Sequence, residues 1–215
     1  AIQFFDLASG QPIPLDMPAQ VKDRRITAMA SGGGNTPRLA VGTADGEVLF
    51  LKVGITTDFS EQGERRKRPH IRAGQPIAVT KGPIVRLAYR ANDQGSLLAL
   101  LSEGGRLLLV RIAADDASGS NPIITELPQP EGKVTALALD VLLENLYVGT
   151  SEGQVMHVAL SETGSPEMRA AYAVAAPSTA VTTLGFLSGD RSLVITSADG
   201  AVSTWGLVRR ADAPS

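Results

Sequence analysis

Apolar residues in this chain fall in short blocks, separated by polar turn residues, and the blocks recur in a fixed order. Four blocks open a repeat: Ile26-Thr27-Ala28-Met29, Ile84-Val85-Arg86-Leu87, Val134-Thr135-Ala136-Leu137 and Val181-Thr182-Thr183-Leu184. Each is followed by a turn of acidic residue plus glycine: Asp45-Gly46, Glu103-Gly104-Gly105, Glu152-Gly153 and Asp199-Gly200. The offsets from opening to first turn glycine are 20, 20, 19 and 19 residues, and successive openings lie 58, 50 and 47 residues apart. Short blocks rich in Val, Ile, Leu and Thr, bounded by glycine turns, predict β-strands. Just before each turn comes a second strand (Leu39 to Thr43, Leu98 to Leu101, Leu146 to Thr150, Leu193 to Thr196). Just after it comes a third (Val48 to Val53, Leu107 to Ile112, Val155 to Leu160, Val202 to Leu207). An acidic-Gly pair suits the hairpin between them because glycine accepts the positive φ that tight turns require.

A fourth strand is more polar and more variable, as in Pro12-Ile13-Pro14-Leu15 and Ile123 to Leu127. Proline there predicts an outer edge, where a missing N–H costs no ladder bond. Four antiparallel strands repeating near every fifty residues are the pattern of β-propeller blades. The expected fold is therefore all-β: a partial propeller of about four four-stranded blades with seventeen strands. The whole chain, residues 1–215, reads as a single domain with repeats starting near 26, 84, 134 and 181. Ala1 to Leu7 aligns without gaps on Ala201 to Leu207, so the chain is expected to begin inside a blade, as a fragment of a larger protein. An open arc leaves apolar blade faces uncovered and predicts a homodimer through the open edges.

Composition narrows the function. A net charge of −2 argues against nucleic acid as a partner held by a global basic field. No apolar run reaches the ~18 residues of a membrane span; the longest, Val134 to Val148, is broken by Asp140, Glu144 and Asn145. The absence of cysteine excludes disulfides and thiolate metal sites.

Two insertions stretch the repeats. Residues 113–122 are a turn-rich connection, and residues 54–76 read as a polar loop carrying Arg65, Arg66, Lys67 and Arg68. That basic run is the candidate anion- or partner-binding site, since clustered cations meet phosphate, anionic lipid heads or an acidic surface. Opposing it is the plainer reading of a solvated loop partly neutralised by Glu61 and Glu64. Of the two histidines, His157 reads as packed on the third strand of its repeat and His70 as exposed in the basic loop. Asp116-Ala117-Ser118-Gly119-Ser120 lacks the carboxylate density of a calcium loop. Gly32-Gly33-Gly34 reads as a hairpin turn, because no helix follows it to aim at a phosphate. Trp205 is expected to pack between blades. No catalytic residue, metal ligand or cofactor is expected.

The strand–turn–strand pattern resembles WD40-type repeats. Phe5-Asp6 and Trp205-Gly206 stand where those repeats carry Trp-Asp, and only the first keeps the aspartate. The Gly-His pair usual before the opening strand is absent from all four repeats, which marks a divergent member. The chain also resembles the large soluble insert of some proteobacterial phosphate ABC transporter permeases of the inner membrane. The stretches that carry this are Phe4 to Pro12, Arg38 to Gly46, Leu51 to Ile77, Leu127-Pro128-Gln129 and Val194 to Gly200. That resemblance implies a periplasmic domain of an inner (plasma) membrane protein, beside the other transporter subunits and the periplasmic phosphate-binding protein. It implies no phosphate-handling residue here, because the family's transport path lies in its membrane helices. The expected function is a non-catalytic docking, regulatory or interaction platform of a phosphate importer. The alternatives are a soluble WD40-like protein-interaction scaffold unrelated to transport and a propeller enzyme of lactonase or glycoside hydrolase type.

Overall fold

The computed structural model describes residues 2–33, 38–59, 63, 65–113 (backbone only at 65–67), 121–161, 165–176, 178–187 and 192–206. By its contacts the chain divides into two compact units, Ala1–Glu126 and Leu127–Ser215.

In the first unit, β1 (Phe4–Phe5) and β2 (Pro12–Ile13) form a two-stranded ribbon, followed by one helical turn, α1 (Ala19–Lys22). A first large sheet holds β3 (Ile26–Ser31), β4 (Arg38–Thr43), β5 (Glu47–Phe59), β6 (Arg65–Ala73) and β7 (Ile77–Ala78). A second has β8 (Ile84–Asn92), β9 (Gly95–Ser102), β10 (Leu107–Ala113) and β11 (Ile123–Glu126) in consecutive antiparallel order. In the second unit, β12 (Val134–Leu139), β13 (Asn145–Thr150), β14 (Gln154–Ala159) and β15 (Glu167–Ala173) make a four-stranded sheet. Beside it, β16 (Val181–Phe186), β17 (Ser192–Ser197) and β18 (Val202–Gly206) make a three-stranded one. The four large sheets open at Ile26, Ile84, Val134 and Val181.

Strands covered on both faces explain why the apolar blocks are continuous rather than alternating. Along β4 and β5, Ala40 and Val48 face the second sheet with Ile84 and Leu98. The adjacent Val41, Leu49 and Leu51 face the other way, into a core with Val21 of α1 and Phe4 of β1. In the second unit, Ala136, Tyr147 and Val155 of one sheet meet Val181, Leu184 and Ile195 of the next.

Small residues set how closely neighbouring sheets approach. A Cβ on Gly42 would lie 2.7 Å from Ile84 Cγ2, and one on Gly149 would lie 2.6 Å from Val181 Cγ1. The first residue of an opening strand thus sits directly on the backbone of the preceding sheet. All four opening strands also carry a register shift at their second residue, at Thr27, Val85, Thr135 and Thr182. An extra residue there bends the strand and strengthens its twist.

The four turns form as expected, with positive φ at Gly46, Gly105, Gly153 and Gly200. In the second repeat the residue that turns is Gly105, one place beyond the first glycine of its pair. Each turn has a buried hydroxyl at its foot: Thr43, Ser102, Thr150 and Ser197. In the first three it accepts the N–H of the residue after the glycine, from Glu47, Arg106 and Gln154 at 3.1, 3.1 and 3.3 Å. In the fourth the hydroxyl of Ser197 donates to Asp199 instead.

Eighteen strands are present among the described residues, one more than expected, because the insertion at 54–76 supplies β6 ahead of β7. The insertion at 54–76 is the larger departure. It is no loop: β5 runs thirteen residues and pairs with β6 from Leu51↔Ala73 to Phe59↔Arg65, while β7 pairs with the start of β5. Val53, Ile55, Thr56 and Thr57 are β-branched and favour extended backbone, and Ile71, 7% exposed, anchors β6 in the core. Polarity marked this segment as a loop, but a two-stranded ribbon in water is polar for the same reason.

Candidate functional site

The basic run lies on this ribbon. Arg65, Arg66, Lys67 and Arg68 open β6 and occupy successive rungs opposite Phe59, Asp58, Thr57 and Thr56. The pairing of β5 with β4 ends at Arg38↔Lys52 among the described residues, so the rungs from Val53↔Ile71 outward extend beyond it. At the usual rise, the seven residues Val53 to Phe59 span roughly 20 Å. Arg68 is exposed and lies 3.7 Å from Asp58 Oδ2, with both side chains more than half in solvent. Such a pair adds little to stability and leaves the guanidinium free to exchange partners. Thr56 Oγ1 donates to the Arg68 carbonyl at 3.2 Å, tying the two strands at that rung. Ile55 and Phe59 are exposed at 65% and 68%, so the strand paired with the basic run carries apolar side chains in solvent. Their signal in the sequence was the β-branched run ahead of the charges.

His70 departs from its expected exposure. It pairs with Gly54, is half-buried, and its ring lies where a Cβ on Gly54 would come within 2.4 Å of it. Its Nδ1 is buried without a hydrogen-bond partner among the described residues. Gly54 makes room for the ring, which explains a glycine inside a long strand.

A second feature of the first unit is an open groove of about 500 Å³ between the segment after β7 and the β9–β10 turn. Thr80, Lys81, Ser102 and Arg106 line it with small apolar residues. Arg106 is held by Glu126 at 3.0 Å.

His157 is packed, as its strand position predicts. Its ring stacks on Tyr147 (centroids 4.8 Å, planes 7° apart) and its Nε2 donates to Asn145 Oδ1 at 2.7 Å. Asn145 Nδ2 in turn donates to Asp140 Oδ2 at 2.7 Å. Burial holds the imidazole below its ordinary value of 6.5, the charge of Arg169 adds to this, and Asp140 opposes it. A depressed folded-state value means that the unfolded chain takes up the proton first. Stability is then fully present above about pH 6.5 and falls as the pH drops below it. Denaturant unfolding at several pH values is expected to show this loss in the wild type and a smaller one in His157→Gln. Equal acid losses in both would refute the assignment.

Trp205 meets Tyr172 edge-on at 5.3 Å, joining the two sheets of the second unit as expected of it. Gly32 lies beneath the ring of Tyr89, 2.5 Å from where its Cβ would stand, so its smallness serves packing as well as the turn. Asp116 to Ser120 and Gly34 lie outside the described residues. Among the described residues no group of three or more His, Asp or Glu side chains is placed to hold a metal ion, and no helix is long and apolar enough to cross a membrane.

No protein-family model matches the chain, and no curated protein matches it in sequence. Solved structures do. The β-propeller domain of Cps50 (Swd1) from Myceliophteria thermophila is similar at 16% identity and a TM-score of 0.60, over 98% of this chain and 61% of that one. Sqt1 from Saccharomyces cerevisiae is similar at 14% identity and a TM-score of 0.58, over 90% of this chain and 48% of that one. Sqt1 from Chaetomium thermophilum, solved bound to the N-terminus of the ribosomal protein L10, is similar at 19% identity and a TM-score of 0.53, over 84% and 46%. The chain thus spans about half to three fifths of the length of the structures it matches. At these identities the likeness speaks to architecture, and with the sheet order it shows that this chain has a WD40-like β-propeller fold.

Proposed function

We propose that this chain is a non-catalytic platform that docks other proteins. The propeller likeness carries this reading, because such a fold offers rigid turns and strand edges rather than an enclosed reaction site. One of the similar propellers holds the N-terminus of another protein, which is the kind of occupant this reading assigns. The open groove lined by Thr80, Lys81 and Arg106 is the docking place this reading assigns, and Lys81 beside the Arg106–Glu126 pair favours an acidic segment there. Chemical cross-linking of the purified chain to a candidate partner, read residue by residue, tests this. Cross-links at Lys81 that disappear in Lys81→Glu are expected. Turnover of lactone or glycoside substrates above background would replace the platform by the enzyme reading.

Within this reading, the place of the platform beside a phosphate importer, in the periplasm, rests on the sequence resemblance alone. The hydropathy of the intact parent gene checks it. One apolar span of about twenty residues upstream and several downstream support the permease. A parent without spans leaves the scaffold unrelated to transport.

A further inference from the structure

We propose that the β5–β6 ribbon is a membrane-docking arm that seats on an anionic lipid surface, with Ile55 and Phe59 entering the headgroup layer and the cations of β6 meeting lipid phosphates. Three observations converge on this occupant. The first is charge. Residues 58–72 hold five cations (Arg65, Arg66, Lys67, Arg68 and Arg72) against three carboxylates, whereas the rest of the chain holds fifteen against nineteen. The arm is the positive part of a negative protein, so an anionic plane attracts it and repels the remainder, and the ribbon approaches first.

The second is apolar exposure. Ile55 and Phe59 stand in solvent at 65% and 68% on a ribbon whose other outer residues, Thr56, Thr57, Asp58 and Arg68, are polar or charged. A folded chain gains nothing from two large apolar side chains held in water, and the lipid headgroup boundary is a medium that accepts an aromatic and an aliphatic residue flanked by cations. Nucleic acid shares the charge argument but offers no apolar layer for Ile55, and an acidic peptide leaves both side chains wet.

The third is rigidity. The ribbon is tied by continuous pairing from Leu51↔Ala73 to Phe59↔Arg65, by the Thr56–Arg68 hydrogen bond and by Ile71 in the core. An arm already formed loses little conformational freedom on docking. Pro69, opposite Ile55, cannot donate a backbone hydrogen bond, which discourages the ribbon from pairing with a strand of another chain.

Co-sedimentation with vesicles of phosphatidylcholine containing one quarter phosphatidylglycerol, against pure phosphatidylcholine, tests the arm independently of any protein partner. Binding to the anionic vesicles alone, weakening as salt rises, is expected. Changing Arg65, Arg66, Lys67 and Arg68 together to serine is expected to lower affinity about tenfold or more and flatten the salt dependence. The double variant Ile55→Ser/Phe59→Ser is expected to lower it about tenfold at low and high salt alike. Both sets of residues lie on the outer ribbon, so unchanged thermal unfolding verifies that each variant is folded. The proposal is overturned if the wild type ignores anionic vesicles at low salt, or if either variant binds as the wild type does. It is equally overturned if duplex DNA or polyglutamate competes the chain off the vesicles at lower concentration than phosphatidylglycerol itself.

Discussion

Gly46→Ala is expected to destabilise the protein by about 3 kcal/mol, and Gly105→Ala, at the same turn position one repeat later, by only about 1 kcal/mol. Both glycines hold positive φ, +80° and +82°, so both substitutions carry the left-handed penalty of an L-residue. Their surroundings differ. Around Gly105 a new Cβ meets no atom of the described residues within 4 Å. At Gly46 it would stand 2.2 Å from the Thr80 carbonyl oxygen and 2.8 Å from that of Gly82. Those are backbone atoms and cannot swing aside. The same strand return is tied to the turn by Val79 and Thr80, whose N–H groups both donate to the Gly46 carbonyl at 3.0 and 3.2 Å. Relieving the clash therefore means giving up these bonds and shifting a wall of the 500 Å³ groove. Gly153 repeats the arrangement, with its carbonyl accepting from Val174 and Ala175 and its Cβ position 2.8 Å from the Ala176 oxygen. Its alanine variant should fall between the other two. Thermal melts of the three variants check the order, with a drop of roughly 2–4 °C per kcal/mol at this chain length. Equal drops at Gly46 and Gly105 would show that backbone conformation alone sets the cost.

The difference between these two turns also marks how far the sequence reaches. The acidic-Gly pairs, the block spacing and the openings at Ile26, Ile84, Val134 and Val181 were legible because strand period and turn chemistry act locally. The packing of Thr80 and Gly82 on the Gly46 turn was not, since it depends on residues distant in sequence meeting in space. The same limit explains the ribbon. Arg65 to Arg68 were visible as a charge run, but their placement on a strand depends on pairing with Thr56 to Phe59 across a turn. Composition separates buried from wet segments more readily than strand from loop when both are wet. His70 failed for a related reason: its half-buried ring follows from the missing side chain of Gly54 on the opposite strand. The fold could be read because it repeats, and the candidate site could be read only in its charges because it occurs once.

Asp140→Ala is expected to cost about 3 kcal/mol and Asp140→Asn roughly 1 kcal/mol, although Asp140 belongs to neither the groove nor the ribbon. The aspartate is 4% exposed and organises the β12–β13 turn. Its Oδ1 accepts the N–H groups of Glu144 and Asn145 at 2.9 and 3.0 Å, and its Oδ2 accepts Asn145 Nδ2. That turn holds Leu143 at φ 62° while burying it to 7% exposure, a conformation that a leucine keeps only when its surroundings impose it. Alanine removes both acceptor oxygens, and with them all three hydrogen bonds, and leaves the turn to relax. Asparagine keeps the oxygen for the two backbone donors but sets an NH₂ against the NH₂ of Asn145. An ionised carboxylate only accepts, so in the wild type it fixes the Asn145 amide, whose oxygen then takes the Nε2 proton of His157. In Asp140→Asn the amide of Asn145 turns over to accept, its NH₂ faces His157 Nε2, and the imidazole must carry its proton on Nδ1 instead. Nitrogen NMR of the His157 ring is therefore expected to show the Nε2–H tautomer in the wild type and the Nδ1–H tautomer in the variant. An unchanged tautomer would mean that the stacked Tyr147 and the burial of the ring, rather than the Asp140–Asn145 relay, orient this histidine.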